Sequence, residues 1–151
     1  MCNDWILNVR EFNKAFNIEA PTRDLIAVRL QEELIYEETD ELRNALRDFY
    51  SGGAATEVLD AIADSIYVLI GLSEKLGFDL TKAFAEVHLS NMSKLGEDGK
   101  PIYRKDGKIL KGTRYFKPDL AAYLPRKDAG VVCAECAETL EREEERDWYG
   151  C

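Results

Sequence analysis

Two acidic clusters set inside apolar, helix-patterned sequence constrain this chain most. The first is Glu37-Glu38-Thr39-Asp40-Glu41, and the second is Glu57, Asp60 and Asp64 within Glu57-Val58-Leu59-Asp60-Ala61-Ile62-Ala63-Asp64. Apolar helical stretches are where helices pack, and carboxylates held at such a seam are costly unless a cation neutralises them. Aspartate is also a poor helix former, yet Asp60 and Asp64 lie in the most apolar segment of the chain. The pattern therefore predicts helices packed around a divalent metal.

Spacing sharpens that expectation. Residues three or four apart share a helix face, which pairs Glu37 with Glu41, Glu38 with Glu41, Glu57 with Asp60 and Asp60 with Asp64. Two antiparallel helices joined by the short turn at Ser51-Gly52-Gly53 would bring four or more of these carboxylates into one small volume. Like charges at that range repel and raise one another's pKa unless a cation intervenes. Hard oxygen ligands favour Mg²⁺ or Mn²⁺. Such an ion keeps waters and holds phosphate oxygens, so metal-assisted phosphoanhydride hydrolysis is the reaction class that fits.

Hydrophobic periodicity places helices over about Asp4 to Phe16, Asp24 to Tyr50, Thr56 to Leu76, and from Asp79-Leu80-Thr81 to about Met92. Thr22 or Asp24 can cap the second helix. Gly52-Gly53 and Gly77 close the second and third. The third helix is apolar nearly all round, which predicts burial by neighbours and by a partner subunit. Glu97-Asp98-Gly99-Lys100 and Lys105-Asp106-Gly107-Lys108 are turn sequences bounding a short hairpin or ordered loop. The fold expectation is all-α, a four-to-five-helix bundle over residues 1–125 with a short basic hairpin or loop and a charged C-terminal tail, 126–151. A charged helix over Glu135 to Arg146 is expected in that tail.

The chain has 151 residues, 46% of them apolar, enough for a folded core. Its net charge of −9 argues against nucleic acid as a partner. The segment from Lys94 to Lys117 nevertheless carries +5, leaving −14 on the rest. A basic strip on an acidic protein suits a local anion such as a phosphate chain. No apolar run is long enough for a membrane span. The N-terminus lacks a basic stretch followed by an apolar one, so the expected location is the cytoplasm. Cys133-Ala134-Glu135-Cys136 is a lone CxxC, and His88 is the sole histidine. A zinc site within one chain is therefore not expected, and the thiols should stay reduced.

The residues resemble a known family. The order Glu37-Glu38-x-x-Glu41, then Glu57-x-x-Asp60, is similar to the EExxE…ExxD pattern of the all-α nucleoside triphosphate pyrophosphohydrolases, the MazG-like and phosphoribosyl-ATP pyrophosphohydrolase-like proteins. So are Asp60 to Val68, Val87-His88-Leu89-Ser90-Asn91-Met92-Ser93-Lys94, and the stretches Asp98-Gly99-Lys100-Pro101 and Asp106 to Gly112. The likeness covers residues from about 5 to 120. It implies a helical core, Mg²⁺ (or Mn²⁺), a homodimer or dimer of dimers, and cleavage of a (deoxy)nucleoside triphosphate between the α and β phosphates.

By position, the resemblance assigns Glu38 and Glu41 as metal ligands from the second helix and Asp64 as the aspartate before the apolar run of the third. Many relatives carry a glutamate three residues before that aspartate, where this chain has Ala61, so either Asp60 or Glu57 supplies the missing carboxylate. Glu37 is the candidate to orient or activate water. Asn91 and Lys94 would contact phosphate, with Lys108 and Lys111 reaching the same anion from the basic loop. Asn13, with Phe12 and Phe16, is a candidate for the base pocket, while His88 reads as structural. The competing reading is a non-catalytic helical module that binds a nucleotide or a partner, its acidic site degenerate.

Overall fold

Asp4 starts helix α1 (Trp5–Ala15) in the computed structural model, which describes residues 4–125; its side chain accepts the free amides of Ile6 and Leu7. The same device recurs. Asp24 accepts Ile26 N–H at 2.9 Å to open α2 (Leu25–Tyr50), and Asp79 accepts Lys82 N–H at 3.1 Å to open α4 (Leu80–Met92). Helix α3 (Ala55–Lys75) begins at Ala54 without a side-chain cap. These aspartates serve twice, because a carboxylate also complements the positive end of the helix dipole.

The first three helices stop alike. After α1, Asn17 adopts φ 55°, and Ile18 N–H reaches back to Asn13 C=O at 2.8 Å. After α2, Gly52 (φ 96°) lets Gly53 N–H bond Asp48 C=O; after α3, Gly77 (φ 67°) lets Phe78 N–H bond Ser73 C=O. Each is the left-handed turn that satisfies the last helical carbonyls.

The described residues form two compact units that divide between Phe78 and Asp79. In the first unit, α3 packs against both α1 and α2. Gln31 Nε2 of α2 donates to Val68 C=O at 2.9 Å, and Ser65 Oγ donates to Glu38 C=O at 3.5 Å. Residue 31 thus meets 68 while 38 meets 65, so α2 and α3 run antiparallel. Gly71 permits this approach: a Cβ there would meet Gln31 Nε2 at 2.8 Å. Arg10 of α1 forms a two-pronged ion pair with Glu74 of α3, at 2.6 and 3.0 Å. Buried Thr22 donates its amide to Lys75 C=O at 2.9 Å, just after the cis Ala20–Pro21 bond.

One expectation is only half met. Ala61, Ile70 and Gly71 of α3 are buried, yet Leu59 is 68% and Leu69 52% exposed. The described residues cover one side of α3; the apolar pattern identified a sticky helix, not what covers its other side.

The second unit comprises α4, the chain that follows, and a single 3₁₀ turn at Ala121–Tyr123. The basic hairpin forms around one antiparallel bridge, Tyr103 with Ile109, closed by Gly107 at φ 84°. Among the described residues this bridge is the sole β pairing, and the fold is all-α. The tail helix expected over 135–146 and all four cysteines lie outside the described residues.

Candidate metal centre

Antiparallel packing of α2 on α3 carries the two acidic clusters to the same level. Ser65, bonded to the Glu38 carbonyl, follows Asp64 directly in α3. Glu38 is half-buried, and its Oε2 is buried without a hydrogen-bond partner. Burial, followed by the charges of Glu41, Asp64, Glu37 and Asp60, pushes the Glu38 carboxyl above the ordinary glutamate range. Four of its acidic neighbours, two from each helix, are therefore near enough to feel.

The remaining acid of the first motif points elsewhere. Asp40 pairs with Arg43 at 2.7 Å, one turn on. Glu37, Glu38 and Glu41 thus act on one side of α2, as their spacing requires. On α3, both Asp60 and Asp64 act on Glu38. Glu57 sits exposed in the first turn of α3 and is not among the charges that raise Glu38. Ala61, at the position where many relatives place glutamate, is buried. Among the described residues no three His, Cys, Asp or Glu side chains are already closed into a metal-holding group. What the geometry supplies is a buried carboxylate oxygen without a donor, surrounded by like charge. A cation relieves both problems, and an all-oxygen donor set suits a hard one.

An apolar groove of about 390 Å³ lies in the same unit, lined by Trp5, Asn8, Leu59, Ile62, Tyr67 and Ile70 among others. Phe12 stacks on Phe16 with ring centroids 4.3 Å apart and meets Tyr67 edge-on at 5.7 Å. The aromatic grouping expected from Phe12 and Phe16 therefore exists. Asn13 is half-buried, and its carbonyl serves the α1 cap. The polar residue of the groove is Asn8, which sequence reasoning missed because no spacing rule separates it from a plain helix-surface amide.

In the second unit the phosphate candidates are partly assembled. Lys94 Nζ donates to Asn91 Oδ1 at 2.7 Å. Gly112 N–H donates to Lys94 C=O at 3.0 Å, which seats Lys111 beside the end of α4. Lys108 is exposed on the hairpin, its amide turned into the Asp106 carboxylate. His88 is exposed, and nothing around it suggests a role.

An all-α protein with acids from two antiparallel helices meeting at one level is the architecture of the all-α nucleotide pyrophosphohydrolases. A sequence model of the phosphoribosyl-ATP pyrophosphohydrolase family matches residues 9–91, and this chain belongs to that family. The match spans α1 through most of α4 and contains both acidic clusters. No curated protein matches the chain. Membership makes it a pyrophosphohydrolase of a nucleotide-like substrate. No helix among the described residues is long and apolar enough to cross a membrane.

Proposed function

We propose that this protein hydrolyses a (deoxy)nucleoside triphosphate between the α and β phosphates, with Mg²⁺, giving the monophosphate and pyrophosphate as nucleotide-pool housekeeping in the cytoplasm. The observation that carries the metal dependence is the buried, donorless Oε2 of Glu38 among four other carboxylates. Glu38, Glu41 and Asp64 would hold the ion. Asp60 takes the part of the ligand missing at Ala61 in preference to Glu57, because its charge reaches Glu38.

When bound, Mg²⁺ supplies the positive charge that offsets these acids and polarises phosphate oxygens. Glu37, exposed beside Glu38, accepts a proton from the attacking water. Oxygen from that water bonds to the α phosphorus, and pyrophosphate leaves with the electron pair of the broken bond. Asn91, Lys94 and one lysine of the basic loop, Lys108 or Lys111, are the proposed phosphate contacts of the second unit. Exposed Leu59, Ile62 and Leu69 on α3 support a homodimer or dimer of dimers that covers them.

The test is Asp64→Asn, which keeps shape and removes charge. Pyrophosphate release should fall at least about a hundredfold, with helical content and melting temperature retained, and Mn²⁺ binding followed by electron paramagnetic resonance should weaken in parallel. Unchanged turnover and unchanged Mn²⁺ affinity in this variant would remove the acidic cluster from the mechanism.

A further inference from the structure

The basic segment after α4 is stitched to the end of that helix. Buried Ser90 donates its hydroxyl to Phe116 C=O at 2.8 Å, and Phe116 N–H donates to Ser93 Oγ at 3.1 Å. Arg114 donates to the carbonyls of Gly96 and Glu97, at 3.4 and 2.9 Å. Gly112 N–H bonds Lys94 C=O so closely that a Cβ on Gly112 would stand 2.3 Å from Leu95 O. The main chain of Lys111 is thereby fixed next to Lys94, although the two are far apart in sequence.

Their ammonium groups are also held. Lys94 Nζ is bonded to Asn91. Lys111 Nζ lies over the Tyr115 ring, 4.2 Å from its centroid, within the range where the ring's negative face attracts a cation. A free lysine gives up much rotamer freedom when it binds an anion. One already parked on a ring gives up less, and its outer hydrogens stay available. Lys108 has no such fixture among its described contacts: its backbone amide donates to Asp106 and its carbonyl accepts Arg104 N–H, and neither holds the ammonium.

We propose that Tyr115 is a positioning residue, holding the Lys111 ammonium beside the Lys94 end of α4 so that Lys111, not Lys108, binds the polyphosphate. This deepens the hydrolase reading and rests on it for the identity of the natural anion. The ring face does the work, so the phenol hydroxyl is dispensable.

The experiment is calorimetric titration of inorganic pyrophosphate into the full chain with divalent metal chelated. Wild type is compared with Lys108→Ala, Lys111→Ala, Tyr115→Phe, Tyr115→Leu and the Lys111→Ala/Tyr115→Leu pair. Lys111→Ala should weaken binding about tenfold, the size of one charge-assisted contact. Tyr115→Leu should weaken it about two- to fivefold, Tyr115→Phe and Lys108→Ala by less than about twofold. In the Lys111→Ala background Tyr115→Leu should add nothing, an interaction that a merely structural tyrosine would not display. The proposal is overturned if wild type does not bind pyrophosphate, if Tyr115→Leu costs as much without Lys111 as with it, or if Lys108→Ala has the larger effect. Pyrophosphate release from a nucleotide together with an unchanged affinity in Tyr115→Leu would sink the positioning role alone. A coupled Lys111–Tyr115 pair in a protein that hydrolyses no nucleotide would sink the hydrolase reading alone.

Discussion

Replacing Glu38 by glutamine should make the metal-free protein more stable while removing its activity. Glu38 ionises at a half-buried position with Glu41 and Glu37 on its own helix and Asp64 and Asp60 on the facing one. A like-charge pair at such spacing costs about 0.2–0.5 kcal/mol. Four pairs at about 0.3 kcal/mol each give about 1 kcal/mol, or about 2–4 °C in melting temperature for a chain of this size. The sign with pH follows from linkage. Burial and neighbouring charge raise the Glu38 carboxyl above its ordinary 4.5, so the native state binds that proton more tightly than the unfolded chain. Stability therefore falls as pH rises through the raised value. The penalty is absent below pH 4.5 and fully present once pH exceeds the raised value, so the gap between variant and wild type opens with rising pH. Urea unfolding in a chelator, followed by circular dichroism at about pH 4 and about pH 7.5, measures both ends. A variant less stable than wild type at neutral pH, or a gap that ignores pH, would refute the reasoning.

Metal should reverse that order. Mg²⁺ at a hundred times its dissociation constant should stabilise wild type by about 2.7 kcal/mol and Glu38→Gln hardly at all, a difference thermal melts will register. Gly77→Ala forces a side chain into the left-handed turn that ends α3 (φ 67°), and should cost about 1 kcal/mol in urea unfolding. Arg10→Ala strands Glu74, whose side chain is 11% exposed, and should lower stability by about 1–2 kcal/mol without changing Mn²⁺ affinity.

Local signals in this sequence were legible, and tertiary ones were less so. Asp24, Gly52 and Gly77 act through their own backbone neighbourhoods, so the ends of α2 and α3 fall within a residue or so of where caps and periodicity put them. Spacing did not separate Asp40, three residues from Glu37, from the other acids; its pairing with Arg43 does. The choice between Glu57 and Asp60 was not legible, because both share a face with the acids around them; only the register fixed by Ser65 and Gln31 favours Asp60. Hydropathy identified Leu59 and Leu69 as apolar but could not say that the described residues leave them exposed. Asn17 ends α1 in a conformation usually given to glycine, and its side chain announces nothing beyond tolerance for it. Tyr115 lies in irregular chain, where no period links it to Lys111.

The central claim is a reaction, and its products test it most directly. Common NTPs and dNTPs, with phosphoribosyl-ATP beside them, should be incubated with the protein in Mg²⁺ and in chelator, and pyrophosphate and orthophosphate quantified separately. The account predicts pyrophosphate and a nucleoside monophosphate from at least one NTP or dNTP, in Mg²⁺ only. Orthophosphate as the product, or turnover that survives chelation, would contradict it.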